Sequence, residues 1–345
     1  MSALKRIRRL VLLAALAPAP AGADFIAAHH VAAEPPLDPL DAAWAKLAPG
    51  SVALYPQVSV APAGRPSGVL TVKVRAFYGA ETLALHLEWP DPKPVQNRAI
   101  GEFADGAAVQ WPVHYGSGKA LPYLGMGHAG SPVAIWLWRA DGSVETLAAE
   151  GFGTLTAQAG DGVKAQGAWK DGVWRVVFTR PMIAAPGDLR VPLEPAAQGV
   201  VPVAFAVWNG EAQERDGLKR LSGWHALRFE EAKIDDAYAK ELAETAVAGD
   251  AKAGQRLMAE KGCAGCHAFP GNRARPSVGP DLTYAGGIHS AQYLRESIRE
   301  PSRVVVPGKR YANVQDGKRT ASLMPPFAGS DQELRDIVAF LKTLR

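Results

Sequence analysis

The stretch Cys263-Ala264-Gly265-Cys266-His267 constrains this chain more than any other. C-x-x-C-H is the pattern of covalent haem attachment: two thiols add to the porphyrin vinyl groups, and the adjoining imidazole reaches the iron. A tether of this kind suits a small helical domain, which buries too little surface to retain haem by packing alone. The same thiols could form a disulfide, a thioredoxin-like pair or half of a zinc site. A redox pair does not need the trailing His, and a tetrahedral zinc site needs further ligands nearby. The chain contains two Cys in all. Haem c on Cys263 and Cys266, with His267 on the iron, is therefore the expectation.

The chain has 345 residues, enough for two ordinary domains. Residues 1–23 have the form of a secretory signal. Lys5, Arg6, Arg8 and Arg9 make a basic start, Leu10 to Leu16 a short apolar run, and Ala21-Gly22-Ala23 a cleavage site. Export to the periplasm suits haem attachment outside the cytoplasm. Arg8-Arg9 is a weak twin-arginine signal, so Sec and Tat export both stay open. No later apolar run is long enough to span a bilayer. The net charge of +4 resides in the four signal cations, which leaves the mature chain neutral and gives no sign of nucleic-acid binding. From Gly249 onward there are 15 Lys and Arg against 9 Asp and Glu, and the mature part before it carries 19 against 25. A basic domain thus follows an acidic one.

After an Ala- and Pro-rich stretch, with a short helix expected over Leu40 to Leu47, the texture becomes β from about Ser51. Leu70 to Tyr78 and Leu83 to Trp89 alternate around Gly79-Ala80-Glu81, a hairpin signal. Val109 to Val113 and Val133 to Trp138 read as further strands. Val163 to Trp169 and Val173 to Phe178 flank Lys170-Asp171-Gly172, an Asp-Gly hairpin turn. Val201 to Trp208 and Gly223 to Phe229 bring the count to eight to ten. Short strands without alternating helices predict an antiparallel β-sandwich over residues 24–230. Residues 231–248 shift to Ala, Glu, Lys and Asp and read as a helical linker. Residues 249–345 read as an all-α domain: Asp250 caps a first helix, Ser290 to Arg299 forms another, and Ser330-Asp-Gln-Glu333 is a capping box before a last one.

Residues 249–345 resemble a class I cytochrome c. Gly254 and Phe340 match the family's pair where the terminal helices cross. Gly279-Pro280-Asp281-Leu282 matches its G-P-x-L segment, in which the Pro280 carbonyl would orient His267. Met324, before Pro325-Pro326-Phe327, matches the distal-ligand loop. The residues alone point the same way. Of the two Met in this part, Met258 sits on the opening helix, where a core role is expected. Met324 follows His267 by 57 residues in a Pro-stiffened loop. His289 is the rival sixth ligand. With both axial positions filled, such a domain moves electrons and has no site for catalysis. A haem peroxidase would need a second attachment motif and an open iron.

The sandwich is less informative. Trp111, Trp136, Trp138, Trp169, Trp174, Trp208 and Trp224 read as core and edge aromatics, and His86, His114, His128 and His225 form no cluster. Residues from about Leu37 to Glu230 resemble the haem-binding γ subunits of the type II dimethyl sulfoxide reductase family, which includes ethylbenzene dehydrogenase. The similar stretches are Asp38-Pro-Leu-Asp-Ala-Ala-Trp44, Met126 to Trp136, and Glu214-Arg-Asp-Gly-Leu-Lys219 with Trp224 beyond. The resemblance implies a non-covalent haem b with Met126 and Lys219 on its iron. Taken alone, Met126 would fill a gap and Lys219 would be a solvated cation. It further implies a dihaem subunit relaying electrons between the iron–sulfur subunit of a molybdenum oxidoreductase and a soluble or membrane carrier. The alternative is a monohaem cytochrome c attached to a carbohydrate- or ligand-binding sandwich.

Overall fold

The computed structural model describes residues 25–58, 68–97, 99–159, 162–183, 189–193, 199–233, 235–242, 247–272, 278–305, 311–315 and 318–345. The signal expected over residues 1–23 lies outside them. Among the described residues thirteen strands precede the helical part: β1 (Phe25–His30), β2 (Gly50–Pro56), β3 (Leu70–Tyr78), β4 (Thr82–Pro90), β5 (Gly106–Pro112), β6 (Val133–Arg139), β7 (Val144–Ala149), β8 (Thr156–Ala157), β9 (Lys164–Lys170), β10 (Val173–Pro181), β11 (Val200–Trp208), β12 (Arg220–Leu221) and β13 (His225–Phe229). Both predicted hairpins form. Tyr78 pairs with Leu83 across the first turn and Lys170 with Val173 across the second. Asp171 and Gly172, at φ 53° and 77°, take the left-handed conformations that a tight Asp-Gly turn demands. The helix expected over Leu40 to Leu47 is a single 3₁₀ turn, Trp44–Lys46.

The strand count exceeds the expected eight to ten because β1, β7, β8 and β12 carry weak signals. β8 and β12 are two residues long. β1 pairs in parallel with both β3 and β13, so the sandwich is antiparallel except there. Trp44 packs on Phe77 and His86, closing the outer face of β3 and β4.

The strands run β8-β7-β6-β5-β11-β12-β2-β3-β4-β10-β9, a single sheet folded over on itself. Val74, Leu85, Leu87, Val176 and Phe178 from one limb share a core with Val109, Trp111, Trp136, Trp138 and Phe205 from the other. Each such side chain contributes about 1.5–3 kcal/mol on burial. Strand side chains alternate, so the other limb's outward face should be polar if it met water. It is apolar. Ala108, Val133, Ile135, Leu137, Leu147, Ala149, Ala204, Ala206 and Leu221 form a second cluster on that outward face.

Helix α1 (Asp236–Leu242) follows the sandwich. Its Tyr238 and Leu242 pack into the sandwich core, whereas Val247 packs with the helical domain. The helical domain holds α2 (Ala251–Glu260), α3 (Ala285–Ile288), α4 (Ala291–Arg299) and α5 (Asp331–Lys342). It also contains a hairpin, β14 (Ala312–Gln315) and β15 (Lys318–Ser322), so it is not wholly α. Asp250 caps α2, accepting from Lys252 N and Ala253 N, and Ser330 and Glu333 form the capping box of α5. Gly254 lies hard against the Asp336 carbonyl and Phe340, where no side chain would fit; this is where α2 crosses α5. The buried Asp336 accepts the Asp250 N–H at 2.8 Å and fastens the crossing. No helix among the described residues is long and apolar enough to cross a membrane.

Candidate functional site

The attachment motif follows α2 without slack. Gly262, at φ 79°, ends the helix, and Cys263–Gly265 winds one 3₁₀ turn. Cys266 N and His267 N both donate to the Cys263 carbonyl, at 3.1 and 3.0 Å. Asn272, which carried no signal in the sequence, donates from Nδ2 to the carbonyls of Ala264 and His267 at 2.8 and 2.7 Å. His267 is 9% exposed, and its Nδ1 lies 2.8 Å from the Pro280 carbonyl. With Nδ1 donating there, Nε2 is the nitrogen left to meet a metal. Burial lowers the imidazole pKa, the Pro280 bond opposing it, and keeps the ring in the neutral form that ligation needs. Cys263 is half-buried and Cys266 exposed.

Met324 donates its N–H to Ser322 Oγ at 3.1 Å, and Phe327 N donates to the Ile298 carbonyl at 3.2 Å. Met324, Phe327, Leu282, Cys263 and Ala264 are partly buried hydrophobic residues around one core, that of Met258, Leu294, Ile337 and Phe340. The thioether and the attachment motif thus border the same apolar centre. Met258 is in the core, 2% exposed, as expected. His289 ends α3, and its ring lies against those of Tyr123 and Tyr293.

In the sandwich, Met126 and Lys219 both border the outward apolar face. Met126 packs against its cluster, as do Trp208 and Trp224. Lys219 Nζ lies over the Trp208 ring, 4.9 Å from its centroid. Met126 has φ 67°, a conformation that a long side chain holds only when its surroundings enforce it. Here they do. Met126 N donates to the Leu124 carbonyl, Gly127 N to Tyr123, and Gly151 N to the Met126 carbonyl, all within 2.7–2.8 Å. Gly127 is needed as well, at φ 77° with Ser131 O only 2.7 Å from where a Cβ would sit.

The Lys219 loop is equally fixed. The Lys219 carbonyl accepts from Gln57 N at 2.9 Å, and the Asp216 carbonyl accepts from Trp208 Nε1 at 3.2 Å. Behind it, Glu214 and Arg220 form a buried ion pair at 3.0 Å, and Glu214 also accepts the Asn209 N–H. The sequence named Glu214 in a matching stretch but gave it no role. Burial pushes the Lys219 amine down to about 8, against the pull of Asp216. A lysine ligates iron only as the free amine, and burial favours that form.

Ala108, Ala204 and Ala206 on the outward face, Met126 packed against that cluster and the Lys219 amine over Trp208 are residues that could hold an apolar cofactor. No cluster of three or more His, Cys, Asp or Glu suited to a metal ion is present among the described residues. None of the nine Trp is exposed, and Trp208 and Trp224 face inward to the Lys219 amine and, through Nε1, the Pro122 carbonyl.

The ethylbenzene dehydrogenase family matches residues 41–165 and 153–220, which is more than half of the chain. The chain belongs to this family. The cytochrome c family matches residues 251–345. A Haloferax mediterranei protein described as a respiratory nitrate reductase heme subunit is 35% identical over 225 residues, 64% of this chain and 79% of its own length. The chlorate reductase subunit gamma of Ideonella dechloratans is 38% identical over 161 residues, 45% of this chain and 63% of that subunit. The dimethylsulfide dehydrogenase subunit gamma of Rhodovulum sulfidophilum is 33% identical over 203 residues, 54% and 72% respectively. Carbohydrate binding modules of family 9 from Caldicellulosiruptor kristjanssonii overlay with a TM-score of 0.33 at 10% identity over 61% of this chain, a likeness that carries no argument. An ethylbenzene dehydrogenase-type γ domain joined to a cytochrome c domain is a haem-binding, electron-transport arrangement. The second domain implies covalent haem c, and the γ subunits of the family bind haem b.

Proposed function

We propose that this protein is the exported, periplasmic dihaem subunit of a molybdenum oxidoreductase. It relays electrons between an iron–sulfur subunit and an external carrier. The relatives' names, nitrate reductase, chlorate reductase and dimethylsulfide dehydrogenase, support a partner enzyme of this kind. Cys263 and Cys266 hold haem c, His267 and Met324 bind its iron, and Pro280 fixes the tautomer and direction of His267. Met126 and Lys219 bind the iron of haem b. The haems would supply one-electron chemistry when bound; Cys263, Cys266, His267 and Met324 would hold one and Met126 and Lys219 the other, and the chain would relay electrons without acting on a substrate. The sandwich extends through α1, whose Tyr238 is buried in its core, and the cytochrome domain begins near Val247.

The reading is carried by Met126 packing on the outward apolar cluster on which Trp208 also packs, with the Lys219 amine over the Trp208 ring. Extraction of the purified protein with acidified acetone tests it. One haem should enter the solvent and one should stay with the chain. In Met126→Ala and Lys219→Ala the extractable haem should fall away while the covalent one persists. If wild-type protein yields no extractable haem, the haem b assignment is wrong.

A further inference from the structure

His289 is engaged in something other than solvent or a helix cap. Its ring lies 5.8 Å from that of Tyr123 at 22° and 4.5 Å from that of Tyr293 at 30°, and Tyr123 and Tyr293 are themselves 5.6 Å apart. Tyr123 belongs to the sandwich, His289 and Tyr293 to the cytochrome domain. This three-ring stack is therefore an interdomain contact.

Each tyrosine of this three-ring cluster leads to a ligand region. Tyr123 is part of the Met126 turn: its carbonyl accepts from Gly127 N at 2.8 Å, its N–H donates to His128 Nδ1 at 3.1 Å, and its ring lies against Gly125. Tyr293 packs against the cytochrome core alongside Met324 and Cys263. Around the stack the two surfaces fit closely. Ile288 inserts into the outward apolar cluster of the sandwich, and Tyr284 packs on Tyr55 at 5.8 Å. The Gly287 backbone presses on the Tyr55 ring with no room for a side chain, and a Cβ at Gly223 would stand 3.1 Å from the carbonyls of Gly287 and Ile288. The cytochrome side is stiffened from behind. Lys342 Nζ donates to the carbonyls of Gly286 and His289 at 2.8 and 2.7 Å, at the C-terminal end of α3. Burial, then the nearby Lys342 charge, holds His289 down to about 3, so the ring stays neutral and the stack pays no charge-burial cost.

We infer that this interface is a fixed dock, that it holds the cytochrome domain in one pose over the Met126 turn, and that the Tyr123–His289–Tyr293 stack sets the coupling between the two haem sites. The coupling half of the inference rests on the haem b reading above; the docking half does not. The event it serves is the passage of one electron from one iron to the other, with one haem oxidised and the other reduced and no proton or bond exchanged. Tyr123 and His289 are positioning residues in this account. Intimate glycine contacts and a buried aromatic stack are what a rigid interface needs, and a freely swinging tethered cytochrome would have no use for them.

The test uses the full-length, haem-loaded chain with Tyr123→Ala, Gly287→Val and His289→Ala, and Tyr123→Phe and His289→Phe as conservative controls. Amide hydrogen exchange over 122–128 and 284–293 reads the dock, and intramolecular electron transfer after pulse radiolysis reads the coupling. Haem content and the reduction potential of each haem are measured alongside. The disruptive variants should exchange faster in both segments and transfer electrons measurably more slowly than wild type. Potentials should be unchanged, and the Phe variants should behave as wild type. If Tyr123→Ala and Gly287→Val leave exchange in both segments unaltered, the dock is refuted. If exchange rises but the transfer rate holds, the coupling role is refuted. Should acetone extract no haem, the haem b reading fails by itself, and hydrogen exchange still decides the dock. Tyr123→Leu replaces Tyr123→Ala if the latter does not fold.

Discussion

Gly279 lies flat against the imidazole of His267: a Cβ at this position would stand 2.6 Å from the ring. The absence of a side chain is what lets the ring reach the Pro280 carbonyl. Gly279→Ala should push the imidazole off that carbonyl and overpack the crevice. The expected cost is about 1–3 kcal/mol in the holo domain, read by denaturant unfolding followed at the haem c Soret band. An unshifted midpoint would contradict the close fit.

Lys219 and arginine are not interchangeable under the proposed ligation. A guanidinium stays charged in proteins and has no free lone pair to offer iron. Lys219→Arg keeps the length and the stacking on Trp208. It should nevertheless lose the extractable haem as completely as Lys219→Ala. Retention of that haem in the Arg variant would show that iron is held by some other group.

Glu214 and Arg220 support the Lys219 loop as a buried pair, 3% and 10% exposed in their side chains. Glu214→Gln breaks the Glu214–Arg220 ion pair. Breaking such a pair costs about 3–5 kcal/mol. The sandwich should lose stability by that order, and non-covalent haem should fall in proportion while covalent haem does not. Equal loss of both haems would point to general misfolding.

His86 makes the sandwich acid-sensitive. It is 1% exposed, stacks on Trp44 at 5.0 Å, and its Nε2 lies 3.1 Å from the Pro39 carbonyl. Burial pushes its pKa down to about 4, against the Pro39 bond. The unfolded chain, with an ordinary pKa near 6.5, takes up the proton first. Stability from this residue is therefore full above pH 6.5, declines as pH falls towards 4 and is lost below it. The whole change is roughly 3 kcal/mol. In His86→Asn the pH slope of unfolding in this window, followed by tryptophan fluorescence, should flatten.

Gly254→Ala inserts a methyl where α2 crosses α5, against the Asp336 carbonyl. Ala gains about 1 kcal/mol of helix propensity over Gly. The collision should outweigh this, with a net loss of roughly 2 kcal/mol or more in chemical denaturation of the cytochrome domain.

The parts of this molecule legible in the sequence are those whose cause is local. The attachment motif, the Asp171-Gly172 turn, the Asp250 cap and the Ser330–Glu333 capping box each involve neighbours in sequence, and each forms. β1 was not legible, because an Ala-rich segment becomes a strand only when β3 and β13 supply partners on both sides. Nor was the outward apolar face. Ala108, Ala204 and Ala206 are unremarked small residues one by one, and become a floor only when β5 and β11 lie side by side. His289 shows the same limit: a lone His before a helix has no stated purpose until another domain puts Tyr123 beside it.

Leu242, packed in the sandwich, and Val247, packed in the helical domain, are five positions apart in sequence, which holds their Cα atoms within roughly 18 Å of each other. That short leash removes any diffusional search from the step between the two halves. Separate redox proteins find each other by charge, and their encounters weaken with dilution and added salt. Under the proposed relay the partner is always present, so an internal hop should proceed at one speed in dilute buffer and in brine, whereas exchange with an outside carrier should be exposed to both.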